Sequence, residues 1–336
     1  MIKKFRCRYL TSYCILVALL CPISLYATPY YAGKVVTLIS GHGVGGGGDR
    51  IARLLAKHLP KYIPGKPTII VSNMPGAASL IAANYLYNIA KPDGLTFGDF
   101  DQGIPFAQML KAEGAKFDLM KFSWIGSAGS DPAVLGIRAD LPYKTFDDLR
   151  KARGPIHLAA NSPGAIDHQY AALIKGILGV NIKIVVYTSS SESRLAMERK
   201  EVEGKAGLYN SYRPSIESGL ARLILRGRMS VPEIQNLPVD ADLATDTMGK
   251  TLFNMRSAPD RVNKPYVAPP KTPPEIMKIL RDAFAKVAND PECQAEAKRN
   301  LMEINYVTAD ECLKVYKFLL TQPADIVKEF SKYVQF

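Results

Sequence analysis

Cysteine is scarce in this chain. Five occur in 336 residues, and Cys7, Cys14 and Cys21 all fall within the first 27. Only Cys293 and Cys312 remain, which excludes a disulfide framework and leaves at most one bridge in an oxidising compartment. Geometry must decide that bridge, because the two sit on different expected helices. No Cys-x-x-Cys occurs, and His42, His58, His157 and His168 lack metal-ligand spacing, so no metal is expected. A Gly-x-Ser-x-Gly elbow is also missing. Asp167 and His168 are neighbours on an expected helix and point apart, so they make no acid–base couple. Without a nucleophile and its base, the chain is not expected to be an enzyme. Beyond the N-terminus no long apolar stretch exists, which excludes a polytopic membrane protein.

The rest is ordinary globular material. With 47% hydrophobic and 22% charged residues, the length suits about two domains with their own cores. The formal charge is +12, and removing the four cations Lys3, Lys4, Arg6 and Arg8 leaves +8. The remaining Lys and Arg are scattered among acids rather than gathered in a stripe, so no nucleic-acid partner is expected. Arg222–Arg228 reads as a solvated turn.

Residues 1–8 are basic, residues 15–20 (Ile-Leu-Val-Ala-Leu-Leu) are apolar, and Ser24-Leu25-Tyr26-Ala27 ends in a small residue. This is the pattern of a cleavable secretory signal peptide over residues 1–27, and cleavage would leave the mature chain outside the cytoplasm. The alternative, an uncleaved anchor, suffers from a run too short to span a membrane comfortably. Cys21 is a poor lipidation site, because bulky Leu20 precedes it where such signals carry a small residue.

The mature part alternates strand and helix signals, which predicts an α/β protein with mainly parallel sheets. Strands are expected at 34–40, 68–72, 95–100, 133–138, 156–160 and 182–187. Helices are expected from Asp49, with Asp49 as N-cap, and over 80–89 and 168–178. Another should follow Ser189-Ser190-Ser191 and carry Leu195, Met197 and Val202. Thr145 with Asp148, and Thr308 with Glu311, predict capping boxes. Residues 265–270 (Pro-Tyr-Val-Ala-Pro-Pro) read as an extended crossing segment, and four helices are expected between Pro273 and Tyr333.

The segment Gly41-His42-Gly43-Val44-Gly45-Gly46-Gly47-Gly48-Asp49 joins an expected strand to a helix. Glycines let backbone approach a ligand, and a helix N-terminus offers unpaired N–H groups, a combination that suits an anion. A Walker loop fails for want of Lys-Ser/Thr at its end. Gly43-x-Gly45-x-x-Gly48 satisfies a dinucleotide pattern, but Val71-Ser72-Asn73 lacks the expected acid, so no cofactor is expected. The loop Asn161–Asp167 repeats the strand–loop–helix arrangement, and the two junctions suit opposite walls of one cleft.

The signal, Lys34-Val35-Val36-Thr37-Leu38-Ile39, the glycine loop ending at Asp49, and Ile51-Ala52-Arg53-Leu54-Leu55 together resemble the tripartite tricarboxylate transporter solute receptors, the Bug family. Asn73-Met74-Pro75-Gly76-Ala77, Pro92-Asp93-Gly94, the Ala160–His168 loop, Tyr187 and Ala268-Pro269-Pro270 follow in that family's order. The chain departs from the family at Gly43, Val44, Gly48, Met74 and Pro163. The resemblance implies a type II periplasmic-binding-protein fold, with two hinge-linked α/β domains around a central cleft. Domain one would be 28–130 plus 253–336, and domain two 131–252. It further implies a monomeric periplasmic receptor that takes a small organic acid and delivers it to integral-membrane permease subunits. Carried onto this chain, the family's ligand-binding positions are Gly45, Gly46, Gly47, Gly48 and Asp49 in the first loop. Gly76, Ala77 and Ser79 follow in the second. Asn161, Ser162, Gly164 and His168 come from domain two, and Tyr187, Ser189, Tyr209 and Asn210 are added because they follow strands that should end in the cleft. Neutral loop groups, often with bridging water, would hold the carboxylate, with no charged side chain required. The competing expectation is an exported α/β enzyme, a hydrolase or nucleotide-dependent, using the same cleft. A structural or sensory protein that binds no transported solute is the third.

Overall fold

The computed structural model describes residues 28–336, so the expected signal peptide lies outside the described residues. Eleven strands among the described residues form two sheets, both flanked by helices. The first sheet has the order β11-β4-β10-β3-β1-β2. Its strands are β1 (Val35–Ser40), β2 (Thr68–Asn73), β3 (Thr96–Asp99), β4 (Ser123–Ser127), β10 (Pro265–Ala268) and β11 (Val307–Thr308). The second, ordered β7-β6-β8-β5-β9, contains β5 (Ala133–Arg138), β6 (Ile156–Ala160), β7 (Ile182–Val186), β8 (Gly204–Leu208) and β9 (Ala221–Arg226).

The expected strands all form, but the sheets are mixed rather than mainly parallel. In the first, β1 runs parallel to β2 and β3, while β10 is antiparallel to β3 and β4. In the second, β6 is parallel to β7 and β8, while β5 is antiparallel to β8 and β9. The reversal has a topological cause. The chain leaves the first sheet after β4 and returns at β10, so β5 and β10 each begin where the sheets face one another. A strand entering at that end must run against strands that finish there.

Three segments differ from expectation. β8 (Gly-Lys-Ala-Gly-Leu) carries no apolar run, yet it is a central strand, and a Cβ on Gly204 would lie 2.2 Å from the Gly136 carbonyl. Arg222–Arg228 is no solvated turn, because Ala221–Arg226 is strand β9 with Ile224 and Leu225 buried. Residues 265–268 do extend, and they pair on both edges inside the first sheet. Val202 lies past the helix Ser190–Glu198 that it was expected to join.

The Thr145–Asp148 capping box is complete, whereas Thr308 receives the Glu311 N–H alone. Trp124 sits at the centre of an aromatic group, its ring edge-on to Phe100 and Tyr316. Cys293 and Cys312 are both free thiols, buried in separate hydrophobic clusters, so no bridge joins them. No helix among the described residues is long and apolar enough to cross a membrane.

Candidate functional site

Parallel strands of both sheets end at one cavity of about 700 Å³. On the first wall, β1 ends at Ser40 and the chain turns through the glycines into the helix Gly47–His58. The Gly41 N–H donates to Asp99 of β3, and the Gly41 carbonyl accepts from Ser79 Oγ at 2.9 Å. Ser79 Oγ in turn accepts the Asp101 N–H at 3.0 Å, so three loops share one lattice of hydrogen bonds. The first intrahelical bond runs from the Arg50 N–H to the Gly46 carbonyl. The N–H groups of Gly47 and Gly48 precede it and supply donors at the positive end of the helix. Gly48 also makes room for His42, whose ring would be 2.1 Å from a Cβ there.

Asp49 is not the N-cap. Gly46 occupies that position, and Asp49 is the third helical residue. Its buried carboxylate turns back to accept the Gly45 N–H at 2.8 Å, Asn73 Nδ2 at 2.7 Å and Arg53 Nε at 3.0 Å. Burial pushes this carboxyl upward, but the hydrogen bonds from Arg53, Asn73 and Gly45 outweigh that and hold it below its ordinary value. Asp49 therefore pins the glycine loop.

After β2 the chain passes through Gly76 at φ +122° and then three residues in the left-handed region, Ala77, Ala78 and Ser79, at φ 45°, 50° and 68°. Such conformations persist in residues with a Cβ only when the surroundings over-determine them. The bonds to Ser79 do so here, together with the Ala78 N–H donated at 2.9 Å to Ser162 Oγ of the second wall.

The second wall comprises the loops after β6, β7 and β8. It meets the first at several points. Asp101 Oδ1 accepts the Ile166 N–H at 3.2 Å as well as its own Gly103 N–H at 2.8 Å. A Cβ on Gly43 would stand 2.9 Å from Ser189 Cβ, and one on Gly45 would stand 3.1 Å from Ser191 Oγ. Glycine at these positions is what lets the two walls approach.

The expected residues divide into two groups. Gly45, Gly46, Gly47 and Gly48 line the cavity, as do Gly76, Ser79, Asn161, Ser162, Tyr187, Ser189 and Asn210. Asp49, Ala77, Gly164, His168 and Tyr209 do not. Ala78, the next residue of the left-handed run, lines the cavity instead of Ala77. Gly164 lies against the ring of Phe336. His168 is half-buried, which lowers its pKa by desolvation, and Tyr209 packs into the core beside β5 and β6.

Sequence reasoning missed the charged lining: Arg50 and Arg194, the acids Asp101, Asp131, Asp167, Glu192 and Glu303, and Lys205 and Lys264. Asp101 was findable, since it follows the end of β3. Asp131 and Lys264 precede strands, so the rule of strand carboxyl ends passes over them. Lys205 stands within the unrecognised β8. Burial pushes the carboxyls of Asp131 and Asp167 up to about 6. The ammonium of Lys264 lowers the first and that of Lys205 the second, without offsetting the burial. Burial likewise pushes Lys205 and Lys264 downward.

A family model described as the tripartite tricarboxylate transporter family receptor matches residues 51–331. A UPF0065 protein of Cupriavidus necator is 26% identical over 285 residues, covering 83% of this chain and 82% of its own. Among solved structures, the periplasmic binding protein BugD superposes with a TM-score of 0.72 at 22% identity, over 90% of this chain and 98% of BugD. An R. palustris protein solved with adipate gives a TM-score of 0.72 at 20% identity, over 90% of this chain and 99% of the other. The fold shared with these structures is that of two-domain periplasmic binding proteins.

Proposed function

This chain belongs to the tripartite tricarboxylate transporter receptor family, a family of solute-binding receptors, and on that premise we propose that it captures a small carboxylate without altering it. The proposed division into residues 28–130 plus 253–336 and residues 131–252 is supported by sheet membership. Its later boundary falls inside the helix Thr247–Ser257. The observation that carries the reading is the convergence on one cavity of the glycine-loop amides, the left-handed Gly76–Ser79 loop and the Ser162 and Ser189 loops. Ligand that touches both walls favours the closed arrangement through contacts that an open one lacks. The adipate seen in the R. palustris relative makes a linear dicarboxylate the first solute to try. The relatives' periplasmic location and the N-terminal pattern support a receptor exported through a cleavable signal peptide, acting as a monomer and delivering its solute to integral-membrane permease subunits.

A thermal-shift screen of organic acids tests this reading. A receptor gives an acid that raises the melting temperature and is recovered unchanged, by about 2.7 kcal/mol of linkage at a hundredfold excess over Kd. Gly46→Asp should abolish the shift while the ligand-free fold survives. Conversion of any hit would replace the receptor with an exported enzyme.

A further inference from the structure

Two lysines face the cavity from opposite sheets. Lys205 stands on β8 of the second sheet and Lys264 immediately precedes β10 of the first. Both are almost entirely buried, with Lys205 4% exposed and the Lys264 side chain 11% exposed. Neither ammonium has a hydrogen-bond partner among the described residues. The nearest carboxylate oxygen to Lys264 Nζ belongs to Asp131 and lies 3.9 Å away. Lys205 Nζ lies 5.2 Å from the centre of the Tyr212 ring. Lys264 also holds φ +60°, a left-handed conformation that is strained for a residue with a Cβ.

The acids of the same cavity are differently placed. Asp101 accepts from the Gly103 and Ile166 N–H groups, Asp167 from Asn161 and His168, and Asp131 from Asn210. Glu192 takes the Thr188 N–H and Glu303 pairs with Arg213. Each acid thus has hydrogen-bond donors within the fold, while neither ammonium has an acceptor at hydrogen-bond distance: Lys264 faces the Asp131 carboxylate only at 3.9 Å, and Lys205 faces the Tyr212 ring with the Asp167 charge nearby. Buried charge is tolerated when it is paired, and these two can be paired from the cavity side.

The geometry points to Lys205 and Lys264 as a two-sided anchor for a second anionic group of the ligand, so that the site selects a dianion, such as a linear dicarboxylate, over a monocarboxylate of equal length. This rests on the receptor reading and deepens it. One carboxylate would meet the glycine-loop amides. The other would lie between the lysines and tie the two sheets together, adding contacts that exist only when the walls are close.

Calorimetric titration of the full mature chain with succinate, glutarate and adipate, each beside butyrate, valerate and hexanoate, tests this. The best dicarboxylate should bind at least about tenfold tighter than its monocarboxylate partner, as hydrogen bonds to charged groups allow. In Lys205→Met and Lys264→Met that ratio should fall towards one. Lys205→Met should also melt no lower than the parent without ligand, because it removes a buried ammonium with no hydrogen bond; a purely structural lysine would lower the melting point. Equal binding of the two series, or a ratio that survives in both variants, overturns the lysine anchor and leaves the receptor standing. Failure of both series to bind overturns the receptor reading and the anchor with it.

Discussion

At the scale of single residues, the site depends on what small side chains allow and what one buried carboxylate holds. Asp49 gathers Gly45, Asn73 and Arg53 onto one side chain. Asp49→Ala would leave those donors unpaired and is expected to cost about 2 kcal/mol, read as a lower denaturant midpoint at constant m-value. An unchanged midpoint would mean that the glycine loop is held by other contacts. Gly43 has an ordinary backbone, and its constraint is the 2.9 Å approach to Ser189 across the cleft. Gly43→Val should therefore push the two walls apart and weaken the best acid by about tenfold or more. Equal affinity in the variant would show that closure does not bring these walls together.

Between Gly76 and the helix Leu80–Asn88, three consecutive residues with a Cβ take the left-handed conformation. At an ordinary helical position an Ala→Gly change costs about 0.5–1 kcal/mol. Ala78→Gly is expected to be neutral or stabilising, because glycine adopts φ +50° without strain; a loss of about 1 kcal/mol in chemical denaturation would contradict the strained conformation. Periodicity made β1, β5 and β6 and the helices Gly47–His58, Leu80–Asn88 and Ile166–Leu178 readable to within about two residues, since each buries an apolar pattern of the right period. It ran the helix Ser190–Glu198 on to Val202 and passed over Ile104–Met109, Tyr209–Glu217 and Thr247–Ser257. It missed β8, whose two glycines and lysine answer to close packing and to the cavity. It also missed β9, whose arginines mask a half-buried strand. The glycine and serine loops were readable because they follow strands. Asp131 and Lys264 were not, because they depend on where antiparallel strands begin, which no local pattern records.

On the scale of the whole molecule, the cleft and its surroundings store buried acids. Asp131, Asp167, Asp240 and Asp260 are pushed by burial up to about 6, above the 3.8 that they regain on unfolding. The folded protein therefore binds more protons than the unfolded chain between these values, and stability rises as pH falls through that window. His168, lowered by burial, opposes this as one group against four. Asp49, held low, contributes fully above the ordinary carboxylate range and loses its contribution only at more acid pH. The ligand-free protein should accordingly melt higher at pH 5 than at pH 7, and fall in stability below about pH 4. A steady decline from pH 7 to pH 4 in scanning calorimetry would contradict the burial of these carboxyls.

The central claim is that one small carboxylate is held between loops from both sheets. A crystal structure of the mature chain with adipate tests it most directly. The account predicts one ligand in the cavity, with a carboxylate hydrogen-bonded to the Gly45–Gly48 segment and further contacts to the Ser162 or Ser189 loop. Density for the ligand elsewhere on the surface, or contacts confined to one sheet, would contradict it.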